Sequence, residues 1–109
     1  MANYVAPSKE IDFVLNKVLD YKKLNALSAF SEATPELTEA ILDNAAKFAG
    51  EVIAPINRVG DAEGVKVQGS EVKTASGFVE AYRQFVDSEW LALAQNPSYG
   101  GQGLPFLVH

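Results

Sequence analysis

Cysteine is absent from the 109 residues, which excludes disulfides, thiolate metal sites and cysteine nucleophiles. The single histidine, His109, is the last residue, so no histidine pair exists for zinc and no Ser-His arrangement is available. Positive charge is scarce: nine Lys and Arg face fourteen Asp and Glu, a formal net charge of −5. Those nine are scattered, with only Lys22 and Lys23 adjacent. Nucleic-acid binding depends on clustered cations that displace phosphate counterions, so no nucleic-acid partner is expected. No apolar run approaches the roughly 18 residues of a membrane-spanning helix. The start, Met1-Ala2-Asn3-Tyr4-Val5-Ala6-Pro7, has no basic segment followed by an apolar one, so a soluble cytoplasmic protein is expected.

What is present is an ordinary globular composition, 48% hydrophobic, on a chain long enough for one modest core. Ile11, Val14, Leu15 and Val18 recur at helical spacing and predict a first helix from Ser8 to about Tyr21. Thr34-Pro35-Glu36 is the clearest helix start, with a capping hydroxyl, proline at the first helical position and an acid in the first turn. From it, Leu37, Ile41, Ala45, Phe48 and Val52 mark an apolar stripe widened by Leu42, Ala49 and Ile53. Pro55 is expected to stop this helix near residue 53, because the residue before a proline is pushed out of the α region. Asn57 to Ala75 is punctuated by glycine, and Val65, Val67 and Val72 alternate with polar residues around Gln68-Gly69-Ser70. That pattern predicts a small hairpin or extended loop leaning on the helices. A third helix, capped by Thr74 or Ser76, carries Phe78, Val79, Tyr82, Phe85 and Val86 as a core face and ends near Asp87-Ser88. The fold class is mainly α: a small bundle of about three main helices plus short turns, with the hairpin near 60–75.

The run Tyr99-Gly100-Gly101-Gln102-Gly103-Leu104-Pro105 is the one segment that invites a functional reading. Neither a P-loop nor a strand followed by GxGxxG is present, so a phosphate cradle lacks its motif. A helix start at Pro105 would still offer free N–H groups to an anion. The plainer reading is a tight turn that delivers Phe106, Leu107 and Val108 into a further helix, with Tyr99 packed under the loop or lining a pocket. The acids of the long helix, Glu36, Glu39, Asp43 and Glu51, fall mainly opposite the apolar stripe and read as a solvated face rather than general bases. Asp61 and Glu63 read as loop residues beside glycine. The residues therefore supply no catalytic, cofactor-binding or metal-binding constellation.

The order of segments carries more information than any one of them. Tyr4 to Pro7, the helix Ile11 to Leu19, the segment Phe48 to Asp61, Gly77-Phe78 with Ala81-Tyr82, then Trp90, then Tyr99 to Pro105 resemble the amino-terminal region of bacterial acyl-CoA dehydrogenases. The resemblance is to the long subgroup that includes methylthiopropanoyl-CoA dehydrogenases, and it covers essentially the whole chain. Thr74-Ala75-Ser76 and Ser98 depart from the family pattern at a helix entry and at the residue before Tyr-Gly-Gly. The resemblance implies a FAD-dependent parent enzyme that introduces an α,β double bond into an acyl-CoA thioester. It implies electron-transferring flavoprotein as a partner, a homo-oligomer, and a role in fatty acid metabolism. It places Tyr99, Gly100, Gly101 and Gly103 in the wall of the substrate pocket. Residues 1–109 would then be an N-terminal helical domain without the flavin site or the catalytic glutamate, inactive alone and with apolar surface left to self-associate. The rival reading is a stand-alone helical interaction module that docks through Leu104 to Val108.

Overall fold

The computed structural model describes residues 4–109; Met1 to Asn3, part of the segment read for a leader, lie outside the described residues. The chain is mainly helical with one two-stranded antiparallel hairpin. In order come α1 (Ser8–Phe13), α2 (Tyr21–Asn25), α3 (Pro35–Phe48), α4 (Ala54–Glu63), β1 (Lys66–Gln68), β2 (Glu71–Lys73) and α5 (Phe78–Asp87). Single 3-10 turns follow at Trp90–Ala92, Pro97–Tyr99 and Phe106–Val108, and another lies at Ser28–Phe30.

The first predicted helix splits. α1 runs into a wider π turn, Val14–Val18, in which the Leu19 N–H bonds to the Val14 carbonyl. Asp20 then takes a left-handed conformation, φ 51°, which no helix interior accommodates, so the helix ends before Tyr21. Tyr21 instead opens α2 and is the most deeply buried large side chain among the described residues, 1% exposed.

α3 begins as its sequence signals require, with Pro35 at the start and the Leu37 N–H donating to Thr34 Oγ1 at 3.2 Å. It does not stop at Pro55. A second π turn, Ala49–Ile53, carries the chain directly into α4, so helical structure continues to Glu63. A proline in a regular helix lacks one N–H and its ring collides with the carbonyl four residues back. Here the Ala54 N–H reaches back five residues to the Ala49 carbonyl, and this widened turn lies immediately before Pro55, where it relieves that collision. Gly60 is therefore helical rather than part of a loop, and it is small for a packing reason: a Cβ there would lie 2.6 Å from the Phe78 ring.

The core gathers at one end. Tyr21, Ala33, Leu93, Leu104 and Val108 form a buried cluster, with Leu24, Phe30, Ile41 and Trp90 packed around it. The Tyr21 hydroxyl donates to the Ala33 carbonyl at 2.8 Å, which satisfies its polar end inside that cluster. Thr38 Oγ1, also buried, lies 3.0 Å from both the Tyr21 hydroxyl and the Thr34 carbonyl and donates to one of them at a time.

The other end has little interior. On α5 only Ala81 is fully buried, Phe85 is half-buried against Phe48, and Tyr82, Val79 and Val86 are exposed, so the core face read from the sequence is largely open. Every hairpin residue is exposed as well, so the hairpin stands away from the helices instead of leaning on them. The body is a slab of 54 × 37 × 16 Å with a radius of gyration of 17.3 Å. A compact domain of this length would have about 13 Å. Its accessible surface, 8124 Å², likewise exceeds the roughly 5,900 Å² of a compact monomer of this mass.

Candidate functional site

The glycine run is built on the segment just before it. Asn96 caps the Pro97–Tyr99 turn by accepting from the Ser98 N–H at 2.9 Å. The chain then folds back on residues 92–97. The Gly100 N–H bonds to the Pro97 carbonyl at 3.1 Å, Gly101 to Asn96 at 3.1 Å, Gln102 to Ala92 at 2.8 Å, Gly103 to Gln95 at 3.0 Å and Leu104 to Leu93 at 2.9 Å. These five consecutive donors are thus spent on the protein's own carbonyls. An anion cradle needs them free, so the phosphate reading of this run fails on hydrogen bonding as well as on motif. Gly101 is there for contact: a Cβ would run into the Gln95 carbonyl. The turn lays Leu104 and Val108 into the core, while Phe106–Val108 makes one 3-10 turn where a helix opening was expected.

The four residues assigned to a pocket wall are separated by this geometry. Gly103 borders an open cleft of about 410 Å³ together with Phe30, Ala33, Leu37, Pro97 and Leu104. Gly101 is half-buried against Gln95, and Gly100 is exposed with φ 86°. Tyr99 projects into solvent, 90% exposed, because the Asn96-capped turn points it outward rather than under the loop.

A second cleft was not singled out from sequence. It has a volume of about 480 Å³ and runs between α3 and the Trp90 turn, lined by Ile41, Asn44, Lys47, Phe48, Glu51 and Trp90 among others. Phe48 is one of its lining residues, its ring 6.1 Å from that of Trp90 and 6.2 Å from that of Phe85. Asn44, Lys47 and Glu51 recur at intervals of three and four along the edge of the apolar stripe. That spacing is the available signal; of the three, only Glu51 is read from the sequence, as part of a solvated face. Trp90 Nε1 is buried and finds no acceptor among the described residues.

The Glu63 carboxylate is perturbed. Glu63 accepts from the Ser76 backbone N–H at 2.8 Å and from the Ser76 hydroxyl at 2.9 Å. These bonds, helped by the charge of Lys66, hold its carboxyl below the ordinary value of 4.5. An anion stabilised in this way is a weak proton acceptor, so Glu63 acts as a clamp between the end of α4 and the entry to α5. Gly77, with φ 85°, takes the N-cap position of α5 that Thr74 or Ser76 was expected to fill, which leaves Ser76 available to Glu63. Among the described residues, no group of three His, Asp or Glu is placed to hold a metal ion. Nor is any described helix long and apolar enough to cross a membrane.

No protein-family model matches the chain. Among curated proteins it is similar to 3-methylmercaptopropionyl-CoA dehydrogenase of Ruegeria pomeroyi, 35% identical over 105 residues. That alignment takes in 96% of this chain and 18% of the relative, so the chain spans about a fifth of the length of the curated protein it matches. The resemblance read from the order of its segments is therefore borne out: along nearly its whole length the chain is similar to one part of an acyl-CoA dehydrogenase.

Proposed function

We propose that this chain is the N-terminal helical part of a FAD-dependent acyl-CoA dehydrogenase. The parent introduces an α,β double bond into an acyl-CoA thioester and passes electrons to an electron-transferring flavoprotein, as a cytoplasmic homo-oligomer. The observation that carries this reading is a 35% identity sustained along 96% of the chain against 18% of a named acyl-CoA dehydrogenase. The open slab supports it, since surface far above that of a compact monomer is what a piece of a larger body presents.

No flavin site is proposed on this portion, and two features support that reading. The backbone donors of the glycine turn are consumed, and the Glu63 carboxylate is held as an anion by Ser76. On this reading the flavin site and the base belong to other parts of the parent. This portion contributes a wall of the acyl pocket around Gly103, with Tyr99, Gly100 and Gly101 on the same turn. The rival reading, a module that docks through Leu104 to Val108, loses Leu104 and Val108 to the chain's own core and keeps Phe106 and Leu107 exposed.

The test is to saturate the purified chain with FAD, desalt it and record the visible spectrum. No retained flavin is expected, and a stoichiometric flavin spectrum would overturn the proposal. The gene supplies the second arm: a reading frame that continues into flavin-binding sequence is expected.

A further inference from the structure

The open edge of the hairpin is complementary to itself. The strands pair with Lys66 opposite Lys73, Val67 opposite Val72 and Gln68 opposite Glu71, around the two-residue loop Gly69-Ser70. Gly69 has φ 63° and Ser70 has negative φ, the sign pattern of a type II′ turn. In an antiparallel hairpin the pair that closes a two-residue loop is a hydrogen-bonded one, and hydrogen-bonded pairs alternate with non-hydrogen-bonded pairs. The Gln68–Glu71 and Lys66–Lys73 pairs are thus hydrogen-bonded within the hairpin. Val67 and Val72 form the intervening pair, so the N–H and C=O of Val72 point away from β1, onto the open edge of β2.

Side chains follow the same alternation. Val65, Val67 and Val72 share one face, and Lys66, Gln68, Glu71 and Lys73 share the other. On the polar face Lys73 lies directly across from Lys66, a like-charge pair that costs stability. Neither Glu71 nor Lys73 makes an ion pair among the described residues. All six strand residues are exposed, and an exposed edge with unpaired backbone groups is a template for another strand.

We infer that β2 pairs antiparallel with β2 of a second copy across a twofold axis centred on Val72. In that register Val72 exchanges both of its outward backbone hydrogen bonds with its twin. Glu71 falls opposite Lys73 of the second copy, twice, at non-hydrogen-bonded positions where side chains lie closest. The polar row becomes Lys66, Lys73, Glu71, Gln68 across four strands, which gives each Lys73 an acid on its free side. The apolar row becomes four adjacent valines. Pairing β1 with β1 instead sets Lys66 against Gln68 and gains no opposite charge, so the β2 edge is the one selected. Three-residue strands make a small interface, so the dimer is a weak one, formed at high concentration.

The test uses the full chain and two charge reversals, Glu71→Lys and Lys73→Glu, at positions whose exposure keeps them out of the core. Sedimentation velocity over a concentration series is expected to show a monomer–dimer equilibrium for the unaltered chain. Each variant alone sets like charges against each other across the axis and is expected to weaken dimerisation by at least about tenfold. An equimolar mixture of the two restores opposite charges at both pairs and is expected to recover a heterodimer. An unaltered chain that stays monomeric at every concentration would overturn the inference. So would variants that dimerise undiminished, or a mixture that does not recover association. Far-ultraviolet circular dichroism, unchanged between variants, confirms that the helices are intact.

Discussion

The end of the molecule that holds Tyr21 and the end that holds α5 have similar sequence character and opposite fates. Both carry aromatic and aliphatic residues at helical spacing. At the first end, α2, α3, the Trp90 turn and the C-terminal segment converge, and a tyrosine is buried to 1% with its hydroxyl satisfied. At the second, every hairpin residue is exposed, α5 buries only Ala81 fully, and Tyr82 is 65% exposed. The difference teaches that helical periodicity identifies which face seeks cover without saying whether this stretch of chain supplies the cover. The open end is also where the self-complementary strand edge lies.

The largest expected effect breaks the comparison directly. Tyr21→Ala removes a buried ring and the hydrogen bonds at its tip, and is expected to cost about 3–5 kcal/mol, enough to threaten folding of a chain this size. Tyr82→Ala, also on a helix, is expected to stay within about 0.5 kcal/mol. Urea unfolding followed by circular dichroism reads both. Equal costs would mean that Tyr82 is buried in solution and that the two ends are not distinct.

Gly101→Ala comes next. The added methyl meets the Gln95 carbonyl, which is backbone and cannot step aside without displacing the turn that seats Leu104 and Val108. A loss of about 1–3 kcal/mol is expected, as for other overpacked sites. A neutral result in the same unfolding experiment would show that the glycine run is not anchored on residues 92–97. It would also return the turn's backbone donors to consideration as ligand contacts.

How much of this was legible in the sequence follows the range of the forces involved. The start of α3 was readable because Thr34, Pro35 and Glu36 act within one turn, and the hairpin because Val65, Val67 and Val72 alternate around a glycine. Helical continuation through Pro55 was not readable. It depends on the Ala54 N–H choosing the carbonyl five residues back, a backbone adjustment that side-chain propensities do not report. Tyr21 was misplaced for a related reason, since the left-handed Asp20 converts a helix end into a new start and turns the ring inward. The family was legible from the order of segments. The pocket wall was named by resemblance, and the fold brings only Gly103 of its four residues to the cleft beside Phe30 and Leu37.

The smallest effect tests the one polar tie identified at the open end. Glu63 is held as an anion by two hydrogen bonds from Ser76, so its folded carboxyl sits below 4.5. A group whose folded value is depressed adds stability above the unfolded value and loses it as pH falls through the folded one. Wild type should therefore exceed Glu63→Gln slightly in urea midpoint at neutral pH, and the gap should close on acidification below about pH 4.5 as the carboxylate takes up its proton. The site is fully exposed, so solvent keeps the gap small. Because the clamp joins the end of α4 to the entry of α5, the loss should appear first as faster amide exchange at the start of α5, with the Tyr21 end unchanged. A gap that persists unchanged in acid would mean that Glu63 contributes shape and not charge. Exchange that accelerates equally at both ends would mean that the molecule unfolds as one unit, with no separately loosened half.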